Sequence, residues 1–134
     1  MTEEQARRQA IEHWMRRAAE ALDSAKSEAS AKRYEFALNR SYYACFHAAS
    51  AVLLNMGREF VKHSGVRAAV HQHLVKPGLV DKRFGKVFDS LFESRQAADY
   101  IATASFKMGE ATAAIREAEE FVHEMQRRGL LQRQ

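Results

Sequence analysis

Cysteine is nearly absent from this chain of 134 residues: only Cys45 occurs, so an intrachain disulfide is excluded. A structural zinc site would have to be built largely without thiolates, and such usage fits a reducing compartment. Proline is present once, at Pro77, and glycine six times, while alanine is abundant. That balance favours helix nearly everywhere, and long β-branched alternations that would mark half-buried strands are missing. No long hydrophobic run exists either. The most apolar stretch, Ala44 to Leu54, is interrupted by His47 and Ser50 and falls short of the roughly 18–20 apolar residues that span a bilayer. The opening MTEEQARRQA carries four charges and no apolar run, so no secretory leader is expected. The protein is expected in the cytoplasm, away from membranes.

Lysine and arginine number 21 against 17 aspartates and glutamates, a formal net charge of +4. Fourteen of the basic residues are arginine, whose planar fork suits bidentate phosphate contacts, although carboxylates one helical turn away would occupy many of them. The bias leans mildly toward anionic partners and is equally met by a solvated, mixed surface.

Thr2 followed three residues later by Gln5 reads as a capping box. Beyond it Ile11, Trp14, Met15, Ala18, Ala21, Leu22 and Ala25 keep the spacing of one buried helical face. No glycine or proline ends this first helix, but Ser24, Ser27 and Ser30 weaken it and the apolar phase restarts at Tyr34, which predicts a tight turn near residues 28 to 32. A second helix then runs to about Asn55, with Gly57 as its stop. Residues 58 to 80 read as a short helix between loops. Asp81 caps a third long helix burying Phe84, Val87, Phe88, Leu91 and Phe92. Ser105 or Thr103 starts a last one burying Ala111, Ala114, Ile115, Ala118, Phe121, Val122 and Met125. The expected fold is all-α: an antiparallel bundle of four long helices plus one short helix, forming a single domain over residues 1–134.

The second helix holds Asn39-Arg40-Ser41-Tyr42-Tyr43-Ala44-Cys45-Phe46-His47. Seven steps of about 100° leave Arg40 and His47 roughly 20° apart in angle and two turns apart along the axis, with Tyr43 between them. The opposite face, with Leu38, Tyr42, Cys45, Ala49, Val52 and Leu53, is apolar. A guanidinium can bind a phosphodiester and stabilise charge building on it, and an imidazole can move a proton. With RNA the neighbouring 2′-hydroxyl supplies the nucleophile, so neither metal nor covalent intermediate is needed. An arginine and a histidine at this spacing also arise by chance, and a structural role for His47 is the plainer reading of spacing alone.

The string YEFALNRSYYACFHAASAVLLNMG resembles the signature helix of HEPN domains (higher eukaryotes and prokaryotes nucleotide-binding), particularly small prokaryotic members with an N-R-x-Y-Y-A-x-F core. The later ESRQAADY, residues 93 to 100, is similar to their R-x-x-x-D-Y block. The resemblance implies a helical bundle, a homodimer, and an Arg-x(4–6)-His motif used for metal-independent RNA cleavage, with two copies facing each other across the dimer. Arg40 and His47, with six residues between them, meet that motif, and Ser41 takes the polar position after the arginine. The expected catalytic pair is therefore Arg40 and His47. Asn39, Ser41, Tyr43, Arg95, Asp99 and Tyr100 are the expected substrate contacts. RNA is the expected substrate, and a nucleotidyltransferase-type antitoxin a further expected partner. Some HEPN toxins carry a tyrosine two residues after the histidine that such a partner modifies with AMP; here His47 is followed by Ala48 and Ala49, which puts that form of neutralisation in doubt.

Two other functions share these residues: a noncatalytic module that binds a nucleotide or a nucleotidyltransferase, and a purely structural dimerisation bundle. Arg95 and Asp99, four apart, can simply pair with each other. His71 and His73 project to opposite sides of a helix, so neither a metal nor a cofactor is expected. Trp14, Phe84, Phe88 and Phe92 have core spacing, which makes them poor platforms for stacked bases.

Overall fold

The computed structural model describes residues 1–101 and 105–132. Among the described residues five α-helices follow one another: α1 Glu3–Ser30, α2 Tyr34–Asn55, α3 His63–Ala69, α4 Lys82–Tyr100 and α5 Met108–Gln132. α3 runs on into a π-helical turn, Val70–Val75. Among the described residues there is no strand, and no helix is long and apolar enough to cross a membrane.

Local chemistry accounts for the boundaries. Thr2 Oγ1 accepts from the Gln5 N–H at 3.1 Å while the Gln5 side chain accepts from the Thr2 N–H at 2.9 Å, a complete capping box. α1 ends without glycine because Lys32 adopts the left-handed conformation, φ 64°. The Arg33 N–H reaches the Glu28 carbonyl at 2.9 Å and the Lys32 N–H reaches that of Ala29 at 3.0 Å, a Schellman closure built on lysine. The same closure ends α2 on Gly57, φ 80°, with the Arg58 N–H on the Leu53 carbonyl. Asp81 caps α4 through the Arg83 N–H. α5 starts later than expected, at Met108: the Lys107 N–H binds the Glu110 carboxylate, leaving Ser105 outside the helix. Thr103 lies outside the described residues.

Small side chains let α1 and α2 pack as a tight antiparallel hairpin. Ala18, Ala21 and Ala25 of α1 and Ala37, Ala44, Ala48 and Ala51 of α2 are all buried, which allows close approach of the backbones. α2 is the central element, with α1, α4 and α5 against it. Tyr42, Val52, Leu53, Phe88, Phe121 and Met125 fill the middle, and Phe88 and Phe121 meet at 5.7 Å. α4 crosses the π-helical turn at Gly85, where an added Cβ would stand only 2.8 Å from His71 Cε1. A glycine inside a helix is explained here by close approach rather than by a kink.

Candidate functional site

α2 leaves one stripe facing away from the core, and α1 lies beside it. Arg40, Tyr43 and His47 from that stripe, with neighbouring Asn39, meet Arg17, Glu20 and Ser24 of α1 around an open cleft of about 450 Å³. Helical spacing alone brings the α2 residues together. The α1 contribution is a tertiary fact; Arg17 lies one turn beyond Trp14, on the flank of the face that the apolar pattern marked as inward.

A chain of polar contacts fixes the cleft to α4. The Arg40 guanidinium donates to Asn39 Oδ1. The Asn39 amide donates to both Asp99 oxygens at 3.2 and 3.1 Å. Asp99 also pairs with Arg95 Nε at 3.1 Å, and Arg95 Nη2 donates to the Tyr43 hydroxyl at 3.3 Å. The Arg95 guanidinium carbon lies about 5.5 Å from the ring centres of Tyr42, Tyr43 and Tyr100, within cation–π range. The Arg95–Asp99 pairing and the reach of Asp99 to α2 thus coexist. Tyr100 is largely exposed at the end of α4.

His47 is the unusual member. Its ring is stacked on Trp14 of α1, centroids 5.3 Å apart and planes inclined by 17°. Its Nδ1 is buried with no hydrogen-bond partner among the described residues. Burial, with Arg17, His13 and His63 adding to it, depresses the imidazole pKa from 6.5 to about 4. No carboxylate compensates, and a charged ring would leave a buried N–H unpaired. At neutral pH His47 is a neutral base.

Ser41 is corrected by the structure. It is buried and donates to the Ala37 carbonyl at 2.8 Å, so it cannot contact a ligand in the cleft. The same helical arithmetic that joins Arg40 to His47 puts Ser41 about 100° away from Arg40, at the edge of the apolar face and off the polar stripe.

The sequence reading also missed His63. Its Nδ1 is 2.8 Å from the Tyr42 hydroxyl, and its ring stacks on Phe46 at 4.3 Å. Burial, then Arg95, lowers the His63 pKa, while burial raises that of Tyr42 against the pull of Arg95. A lone histidine in an unpatterned loop gave no signal for this contact. Away from the cleft, Asp89 Oδ1 receives Arg67 Nε at 2.8 Å and lies 2.9 Å from His71 Nε2. Among the described residues no group of three or more His, Cys, Asp or Glu side chains is placed to hold a metal.

A family model described as the HEPN domain matches residues 11–128, which include the whole cleft. The chain is 45% identical over 112 residues to a protein of Thermotoga maritima named UPF0332 protein, covering 84% of this chain and 85% of the relative. It is 35% identical to one protein of Methanocaldococcus jannaschii named as a candidate toxin, over 86% of this chain and 85% of the relative. A second candidate toxin of that organism is 27% identical, over 84% and 77%. On the extent of the match, and with an all-helical bundle carrying the N-R-x-Y-Y and R-x-x-x-D-Y segments side by side, this chain belongs to the HEPN domain family.

Proposed function

We propose that the protein is a toxin-like, metal-independent RNA endonuclease whose active cleft is built on Arg40 and His47. One observation carries the reading: a guanidinium and a neutral imidazole share one open cleft, held in place by the Asn39–Asp99–Arg95–Tyr43 chain. Arg40 binds the scissile phosphate and stabilises the charge that grows on it. The 2′-oxygen bonds to phosphorus as the bond from phosphorus to the 5′-oxygen breaks. His47 accepts the 2′ proton, and the 5′-oxygen leaves with a proton from solvent. Tyr43 extends the donor surface along the backbone with Arg95 behind it, and Asn39 and Asp99 position Arg40. The relatives named as candidate toxins support the toxin-like context.

A homodimer in which two such clefts face each other goes with this reading. Phe36 on α2 and Tyr100 and Ile101 at the end of α4 are exposed apolar groups and suit a second copy of the chain. A nucleotidyltransferase-type antitoxin is the proposed inhibitor, acting by covering the cleft.

The test is incubation of the purified protein with total tRNA and mRNA in EDTA, followed by end-group analysis. The expected products end in 2′,3′-cyclic phosphate and 5′-hydroxyl, and DNA survives because it lacks the nucleophile. Cleavage that requires magnesium overturns the mechanism, and no cleavage by a dimeric, folded protein moves the noncatalytic binding module into first place.

A further inference from the structure

The cleft does not end at His47. Further along the same α1–α2 seam lies a second cavity of about 330 Å³, walled by Trp14 of α1, Phe46 and Leu54 of α2, and Phe60 of the following loop. Ser50 lines it too; its hydroxyl donates to the Phe46 carbonyl at 2.8 Å, which leaves the oxygen as an acceptor. Arg58 and Glu59 supply the charged lining. The alignment is set by the helices. Steps of about 100° place Ser50 and Leu54 on the stripe of Arg40, Tyr43 and His47, while on the antiparallel α1 the polar cavity is lined by Arg17, Glu20 and Ser24 and the apolar one by Ala10 and Trp14. Trp14, which its spacing marked as core and a poor stacking platform, is only half-buried and lines this cavity, and its stack with His47 stands between the two compartments.

We infer that the aromatic compartment holds the nucleobase of the nucleotide adjoining the scissile phosphate, so that Trp14 both packs His47 and forms one wall of a base subsite. This deepens the RNA-cleaving reading and rests on it. Three features select a nucleobase over another apolar guest. The compartment adjoins the Arg17- and Arg40-lined cleft across the Trp14–His47 stack, so a chain laid along the seam would bring a base to one and a phosphate to the other. Its volume admits a single base. Trp14, Phe46 and Phe60 bring three aromatic rings into its lining, the pattern of stacking recognition. The preference it imposes is therefore for the larger rings of purines, graded rather than absolute.

Trp14 is the only tryptophan, so its emission reports occupancy directly. The probes are uncleavable 2′-O-methyl tetranucleotides of adenine, of uracil, and an abasic backbone of the same charge, with inorganic phosphate as the small-anion control. Adenine tetramers should shift or quench Trp14 emission saturably and bind about tenfold tighter than the abasic chain, with uracil between them and phosphate leaving the emission unchanged. Ala10→Phe, which fills the compartment, should bring adenine binding down to the abasic level without altering binding of the abasic chain. Leu54→Phe does the same service should the first variant fail to fold. Equal affinity for adenine and abasic chains, or binding that leaves Trp14 emission unmoved, overturns the base subsite even if RNA is cut. Base-dependent quenching that persists in His47→Ala supports it even if that variant shows His47 has no part in cleavage.

Discussion

His47 and His71 show how neighbours decide what an imidazole becomes. His71 lies 2.9 Å from Asp89, which also receives Arg67; burial alone would raise the Asp89 pKa, but hydrogen bonds from His71 and Arg67 outweigh it and hold the carboxyl below its usual range. That cluster is a polar clamp between the π-helical turn, α3 and α4. His47 has a tryptophan face and nearby cations in place of a carboxylate, and loses its charge. A histidine beside a carboxylate ties helices together where it sits, whereas one pressed against a ring beside a groove is kept neutral, free to accept a proton only as a weak base.

The sharpest way to break this contrast is kinetic. On the proposed mechanism His47→Ala lowers the RNA cleavage rate by ~10²–10⁴, while Asp89→Ala, on another face, leaves it within about threefold. Gel assays of both variants at equal folded concentration decide it, and a comparable loss from Asp89→Ala would erase the distinction.

Acid sensitivity comes next. The folded pKa of His47, about 4, lies below its ordinary 6.5, so between those values the unfolded chain binds the extra proton. Stability is therefore fully present above pH 6.5 and falls as pH drops toward 4; because the ring is only partly buried, solvent screening leaves this one group a contribution on the order of 1–2 kcal/mol. Urea titrations at pH 7, 5.5 and 4 should show that fall, and His47→Gln should flatten much of it. An identical pH profile in the variant would show that the ring is not buried as a neutral group.

The clamp has smaller effects. Asp89→Ala should lower stability by about 1 kcal/mol, because the ion pair and hydrogen bonds are partly solvated. Gly85→Ala should cost slightly less, since the new methyl forces His71 from its place 2.8 Å away and away from Asp89. The two losses should not add: once Asp89 is gone, displacing His71 costs little. Thermal melts of the two single variants and the double one test this coupling, and strict additivity would mean that His71 and Asp89 do not act together.

Much of this could be read from residues close in sequence. The Thr2–Gln5 box, the Asp81 cap, the Gly57 stop and the repeat of buried residues along α4 and α5 are local, and each appears where its spacing put it. So does the shared face of Arg40, Tyr43 and His47, because rotation per residue is a property of the helix itself. The turn after α1 was placed correctly though its chemistry, a left-handed lysine, had no composition signal.

What the sequence by itself determined, then, was where helices begin and end and which side chains ride together on each, since backbone hydrogen bonding and apolar periodicity act within a few residues. Ser41 belonged to that same arithmetic and was assigned to the cleft against it. Only the tertiary structure decided that Trp14 would stack on His47 and that burial would lower its pKa, that Asn39 would meet Asp99 sixty positions later, and that one seam would be polar at one end and aromatic at the other. Those outcomes depend on which helix lies opposite and how closely small residues let it approach, and desolvation, stacking and cross-helix hydrogen bonds exist only once that packing is made.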